Sequence, residues 1–140
     1  MNLDILKGEL SRDEGRVPYA YQDSEGYWTC GVGFLIDKNK GGRIPDAVID
    51  FWLDYLLDRL KSNLEAMFPW FHTLNDVRQN IIANMAYQLG IDGLLKFKRF
   101  LMACQEHDFD TAADEILDSK AARQAPERFQ RHAVSMRTGQ

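Results

Sequence analysis

Residues 11–34 read SRDEGRVPYAYQDSEGYWTCGVGF. The fold turns on this stretch, because the periodicity of the chain changes inside it. Before it, Leu3, Ile5, Leu6 and Leu10 are separated by polar residues, the pattern of a short amphipathic helix over 2–13. Gly15 is placed as its stop. After it come VPYAYQ (17–22) and YWTCGVGFLI (27–36), rich in β-branched and aromatic residues, with the turn chemistry of DSEG between them. This predicts a hairpin or small meander across 17–36, followed by a polar loop, DKNKGG.

Downstream the pattern returns to helix. Pro45 suits a first turn. Ala47, Val48, Phe51, Trp52, Tyr55, Leu56 and Leu60 form a broad apolar face running toward Met67, and FPWFH (68–72) interrupts it. Thr73 in TLND is the expected cap of the next helix, with Asp76 three residues on. Leu74, Val77, Ile81, Met85 and Leu89 follow at helical spacing. Ile82, Ala83 and Ala86 make this helix apolar almost all round, which implies a central position, and Gly90 ends it. Leu94, Phe97, Phe100, Leu101 and Cys104 mark another helix. A short one carries Ala112, Ala113, Ile116 and Leu117 behind the expected cap Asp110. Pro126 opens the last, through about Met136. The class is α+β: a β lobe over about 15–43, and a mostly helical lobe made of 1–14 and 44–140, in one domain.

A chain of 140 residues with 45% hydrophobic and 27% charged residues can bury a real core without staples. Its net charge of −4 argues against a nucleic-acid binder. Residues 119–140 run the other way, with Lys120, Arg123, Arg128, Arg131 and Arg137 against Glu127. That surface is either a solvated helix face or one turned to an anionic partner. Cys30 and Cys104 lack the spacing of a zinc or redox site. Buried free thiols are expected, with a disulfide left open. No apolar run reaches the length of a membrane span, and MNLDILKGEL is not a secretory signal. No stable membrane association is expected.

The acids of the opening stretch raise a chemical question. Cleaving a glycosidic bond takes one acid to protonate the leaving oxygen and a second carboxylate to activate water or attack the sugar. Glu14 falls at a helix C-terminus, where the dipole disfavours its charged form. Asp23 falls in a polar turn and should stay ionised. Thr29, on the return strand, could set a hydroxyl beside it. Two carboxylates in contrasting surroundings are the pattern such chemistry needs, but helix-end and turn acids are common for structural reasons alone.

Glu14, eight residues, Asp23, five residues, Thr29 and then GVGFLI resemble the T-even-phage-type lysozymes, glycoside hydrolase family 24. So do NMAYQLG (84–90) and QAPERFQRH with MRTG at the end of the chain, in the same order. The likeness covers nearly the whole sequence, with a shortened segment around 37–44. It implies a lysozyme-like fold and an endolysin that cuts peptidoglycan glycan strands between N-acetylmuramic acid and N-acetylglucosamine. Glu14 would be the general acid, Asp23 the general base or the residue that positions the attacking water, and Thr29 a holder of that water. The family inverts configuration, which implies carboxyl groups roughly 6.5–9.5 Å apart. Leu35, Tyr87 and Gln88 match groove-lining positions. Arg128 matches an arginine paired with the catalytic glutamate, and Arg131 one paired with the preceding acid, here Asp13. No metal or other cofactor is implied. The protein is expected to be a monomer held in the host cytoplasm until a separate holin lets it reach the periplasm. The alternative is a lysozyme-like module that binds peptidoglycan without cutting it.

Four positions depart from the family. Phe34 and Leu56 stand where it has a histidine and its aspartate partner, so the two apolar side chains are expected to touch. Phe100 and Glu115 replace small or neutral polar groove residues, which bears on preference among peptide crosslinks. His72, His107 and His132 read as surface or satisfied residues.

Overall fold

The computed structural model describes residues 1–36 and 44–140. The DKNKGG loop and most of the shortened segment lie outside the described residues. The chain divides into two compact units, Met1–Leu53 and Asp54–Gln140.

In the first unit, α1 (Leu3–Glu14) starts on Asn2, whose side chain accepts from the amides of Asp4 and Ile5. Those bonds satisfy two of the amides a helix start leaves without partners, worth about 1 kcal/mol. Gly15 ends the helix at φ 76°, a conformation that favours glycine, as its placement in the sequence predicts. Three antiparallel strands follow in the order β1 (Val17–Gln22), β2 (Trp28–Gly31) and β3 (Phe34–Leu35). Val17 pairs with Gly31, but Tyr21 pairs with Thr29 and Gln22 with Trp28, so the register slips between Val17 and Tyr21. Pro18 lies in the slipped interval, and it has no N–H to give to the ladder. On the other side of β2, Thr29 pairs with Leu35 and Cys30 with Phe34.

Helix α2 (Asp46–Met67) begins just after Pro45, and the boundary between the units falls within it. Leu64 is its one buried residue, and Leu60 is partly buried against the core of the second unit. Val48, Phe51, Trp52, Tyr55 and Leu56 are exposed, so the broad apolar face predicted for this helix is not turned into a core. Periodicity shows that a face is available for burial, not what covers it. Phe34 belongs to the first unit and Leu56 to the second, so the contact expected of them would run from one to the other.

The second unit is helical. A 3₁₀ turn (Phe71–Thr73) leads to α3 (Asp76–Leu95), then α4 (Lys98–Gln105), α5 (Phe109–Leu117), α6 (Lys120–Gln124) and α7 (Pro126–Thr138). Ile81, Ile82, Met85, Ala86 and Leu94 of α3 are buried, as an all-round apolar helix requires. Phe100, Leu101 and Cys104 of α4, Ile116 of α5, and Phe129 and Met136 of α7 complete the core. Truncating Phe100 or Phe129 to alanine would cost about 3–5 kcal/mol at such buried sites. Gly90 breaks the helical dihedrals of α3 at φ 75°, ψ 164°, where the sequence marks a stop.

Two predicted caps are corrected. Asn75, not Thr73, caps α3, accepting from the Arg78 amide at 3.1 Å. The Thr73 hydroxyl lies 2.7 Å from the Trp70 carbonyl and 2.9 Å from His107 Nε2. Asp108, not Asp110, caps α5 through the Thr111 amide and hydroxyl. Asp110 instead joins Asp114 in holding Arg137, at 3.1 and 2.7 Å. In both places several side chains able to cap stand within three residues, and the choice is made by what else each one reaches. Part of the basic C-terminal surface is therefore committed to local partners. Cys30 is half-buried and free. Cys104 is buried and free, with burial pushing its thiol up to about 12.

Candidate active site

The β-sheet places two predicted residues, Thr29 and Leu35, by register alone. Partners across antiparallel strands share a face. Tyr21, Thr29 and Leu35 are successive partners across β1, β2 and β3, so they stand in one row. All three line a cavity of about 510 Å³, along with Glu14, Asp23, Glu25, Tyr27 and Gly33. Four of the predicted site residues, Glu14, Asp23, Thr29 and Leu35, thus meet at one cavity within the first unit.

Glu14 is the last residue of α1 and is exposed. Its carboxyl group rests against the backbone of Gly33 in the β2–β3 turn. A β-carbon added at Gly33 would lie 3.0 Å from Oε2 and 3.3 Å from Cδ. Gly33 has φ 65°, so this glycine serves both a left-handed turn and a close approach.

Asp23 directs the β1–β2 turn. Its Oδ1 accepts from the amides of Glu25 at 2.9 Å and Tyr27 at 2.8 Å. Its own amide donates to the Tyr27 carbonyl at 2.8 Å, and the Gly26 amide donates to its carbonyl at 3.0 Å. One carboxyl oxygen is thereby fixed by the turn, an Asx arrangement, and the second is left for chemistry. Thr29 is 5% exposed, the one buried polar residue among those described. Its hydroxyl donates to the Tyr27 carbonyl at 3.2 Å. With its proton committed there, the hydroxyl oxygen has lone pairs to accept a hydrogen bond from a water. A fixed carboxylate oxygen and a fixed hydroxyl acceptor are the two contacts a nucleophilic water needs.

Among the described residues, the lining of this cavity carries three carboxylates, Glu14, Asp23 and Glu25, and no cation. The cations that the family resemblance assigns to the site lie in the second unit. Arg128 donates from Nε at 3.0 Å and from Nη2 at 2.6 Å to Asn84 Oδ1. Arg131 is exposed on α7. Asp13 meets Arg12 at 3.3 Å, a solvent-exposed pair of small energetic weight. Tyr87 and Gln88 lie on α3 in the second unit, and both are exposed.

Sequence reasoning missed Tyr21, Tyr27, Glu25 and Gly33 as cavity residues. Glu25 reads as an ordinary turn acid. Tyr21 becomes visible only through its pairing with Thr29. The signal for Gly33 was present, since a second glycine two residues after Gly31 implies a backbone that something approaches closely.

Comparison with known proteins places the chain in a family. The family description "Phage lysozyme" matches residues 11–131. The chain is 28% identical over 160 residues to Probable T4-type lysozyme 2 of Dictyostelium discoideum, covering 96% of this chain and 94% of that protein. Probable T4-type lysozyme 1 of the same organism is 27% identical over 161 residues, with the same coverage. The Pre-baseplate central spike protein Gp5 of Enterobacteria phage T4 is 28% identical over 155 residues, which cover 93% of this chain and 27% of that protein. With most of its length matched, this chain belongs to the phage lysozyme family as a T4-type member, a glycoside hydrolase of the lysozyme class that acts on peptidoglycan.

Proposed function

We propose that this protein hydrolyses the β-1,4 bond between N-acetylmuramic acid and N-acetylglucosamine with inversion, and that it serves host cell lysis as an endolysin. The observation that carries the reading is the meeting of Glu14, Asp23 and Thr29 at one cavity. Glu14 gives its proton to the glycosidic oxygen as the C–O bond breaks. A water held between Asp23 and the Thr29 hydroxyl attacks the anomeric carbon from the opposite face, and Asp23 takes its proton. The product sugar keeps the water oxygen with inverted configuration. Room for that water implies carboxyl groups roughly 6.5–9.5 Å apart.

Leu35, Tyr87 and Gln88 are proposed to line the glycan groove. Arg128 and Arg131 are proposed to support Glu14 and Asp13 by charge. The lysis reading carries with it a monomer that waits in the host cytoplasm and is released through a separate holin.

The test is turbidity of outer-membrane-permeabilised Gram-negative cells, with Glu14→Gln alongside and the anomer of the first product followed by NMR. Clearing by the parent, none by the variant, and an initial α-anomer are expected. A β-anomer would overturn inversion. Binding to sacculi without clearing would replace the enzyme by a glycan-binding module.

A further inference from the structure

Asn84 of α3 holds a position that the family resemblance gives no role. Its Oδ1 accepts from Arg128 Nε at 3.0 Å and Nη2 at 2.6 Å, and His132 Nε2 lies 3.1 Å from the same oxygen. Arg128 and His132 are one turn apart on α7, so both side chains reach one amide across the α3–α7 packing.

The chemistry of the three groups fixes their hydrogens. A guanidinium donates and never accepts, so the amide must turn its oxygen, not its NH₂, toward Arg128. The imidazole nitrogen facing that oxygen must then carry a hydrogen, because two acceptors cannot face each other at 3.1 Å. In its neutral form His132 is therefore the Nε2–H tautomer, with the lone pair on Nδ1. It is half-buried, and its pKa is lowered by burial first and then by Arg128 and Arg131 of its own helix. The α3 group it faces, Asn84, is neutral. The acids of α5 that face α7, Asp110 and Asp114, are held by Arg137. The Phe129 ring closes one side of the imidazole, edge-on at 5.7 Å.

We propose that His132 is a positioning residue: it clamps the Asn84 amide from the second side, so that the Arg128 guanidinium is held in one orientation for the reaction. A single amide oxygen gripped by one arginine can swing with it. Gripped from two points a helical turn apart, it becomes a fixed post. The proposal rests on the reading that Arg128 serves glycan cleavage.

Three measurements test it on the intact chain. Long-range ¹H–¹⁵N NMR should show His132 protonated at Nε2 at neutral pH. His132→Leu, which keeps bulk and removes the donor, should lower kcat on purified peptidoglycan on the order of tenfold, with KM changed less than about twofold. His132→Gln, which can place an N–H near the same point, should restore most of that kcat. Thermal melting of both variants shows that they fold. An Nδ1–H tautomer overturns the proposal. So does a His132→Leu variant with the parent's kcat while Glu14→Gln is dead. A Glu14→Gln enzyme as active as the parent overturns the cleavage reading instead, and this proposal falls with it.

Discussion

The carboxyl group of Glu14 lies against the bare Cα of Gly33, where a β-carbon would come within 3.0 Å of Oε2. The proposed acid thus depends on the absence of a side chain in a turn nineteen residues away in sequence. Gly33→Ala should lower kcat by about tenfold, because the carboxyl must move by tenths of an ångström from its place. The left-handed φ adds about 1–2 kcal/mol of strain. Gly90→Ala, at φ 75° and ψ 164° with nothing within 4 Å of the added carbon, enters a backbone region that essentially only glycine takes, and crowds no carboxylate. Gly90→Ala should therefore melt at least as low as Gly33→Ala and still cleave faster. Equal cleavage by both would show that the Glu14 approach has no catalytic weight.

Asp23 has a scaffold role and a proposed chemical role, and two substitutions separate them. Asn keeps an oxygen that can accept from the Glu25 and Tyr27 amides, while Ala keeps nothing. Asp23→Asn should hold stability within about 0.5 kcal/mol of the parent and lose activity by about 10²–10⁴-fold. Asp23→Ala should lose the same activity and also about 1–3 kcal/mol of stability. Urea denaturation beside turbidity assays distinguishes them, and an active Asp23→Asn enzyme would exclude the base role.

Thr29→Val removes the hydroxyl but preserves the shape of a buried side chain. The Tyr27 carbonyl loses this donor but keeps the Asp23 amide at 2.8 Å, and its residue is exposed, so water can replace the lost bond. Stability should fall by no more than about 1 kcal/mol. The rate of cleavage should fall much further, by about 10²-fold, if the hydroxyl holds the attacking water. Thr29→Ser should keep most of the rate. Equal rates for the Val and Ser variants would remove Thr29 from the reaction.

Cys104 predicts an alkaline signature. Its folded thiol is pushed up to about 12 from an ordinary 9.0 by burial, which outweighs the opposing charge of Arg78. The fold holds the thiol neutral. Its contribution to stability is therefore fully present below about pH 9.0 and lost as pH climbs from there toward 12. Cys104→Ala should flatten the fall of unfolding free energy above pH 9, at the expense of a small cavity. Under native conditions a thiol reagent should modify Cys30 first and reach Cys104 only on unfolding. Fast modification of both would contradict the burial.

Asn75→Ala should cost about 1–2 kcal/mol, since it removes the α3 cap and the 3.1 Å bond from Asn75 Nδ2 to the Gly139 carbonyl. The start of α3 is also tied to the end of α7 by Arg78. Its Nε donates to the Met136 carbonyl at 2.9 Å, and its guanidinium lies 3.5 Å from the centre of the Phe109 ring. Denaturant midpoints should rank Asn75→Ala below Thr73→Val, and the reverse ranking would return the cap to Thr73.

The elements set by strong local chemistry were legible in the sequence. Gly15 and Gly90 stop helices because they take conformations that other residues resist, and Pro126 starts one because its ring fits a first turn. The hairpin followed from the change of period after Gly15. What escaped depends on distance through space. The two caps went to neighbours of the expected residues because competing side chains found better partners. Tyr21 and Gly33 entered the cavity through a register and a turn that no local pattern encodes. Glu14, Asp23, Thr29 and Leu35 were legible through family likeness more than through chemistry, since turn acids and helix-end acids are ordinary.

The slipped pairing between Val17 and Tyr21 has a consequence for how this site tolerates change. Asp23 is held by Tyr27, and Thr29 by its partners on both sides, so the position of the carboxylate is measured backward along β2. The interval holding Pro18 is already out of step with β2 and works as slack in the tether between Glu14 and Asp23. A residue inserted there can be absorbed without moving either carboxyl group. The same insertion between Ser24 and Gly26 would pull Asp23 off its amides. The nine-residue spacing from Glu14 to Asp23 is in this sense an adjustable length, while the distance from Asp23 to Thr29 is a mechanical dimension of the site.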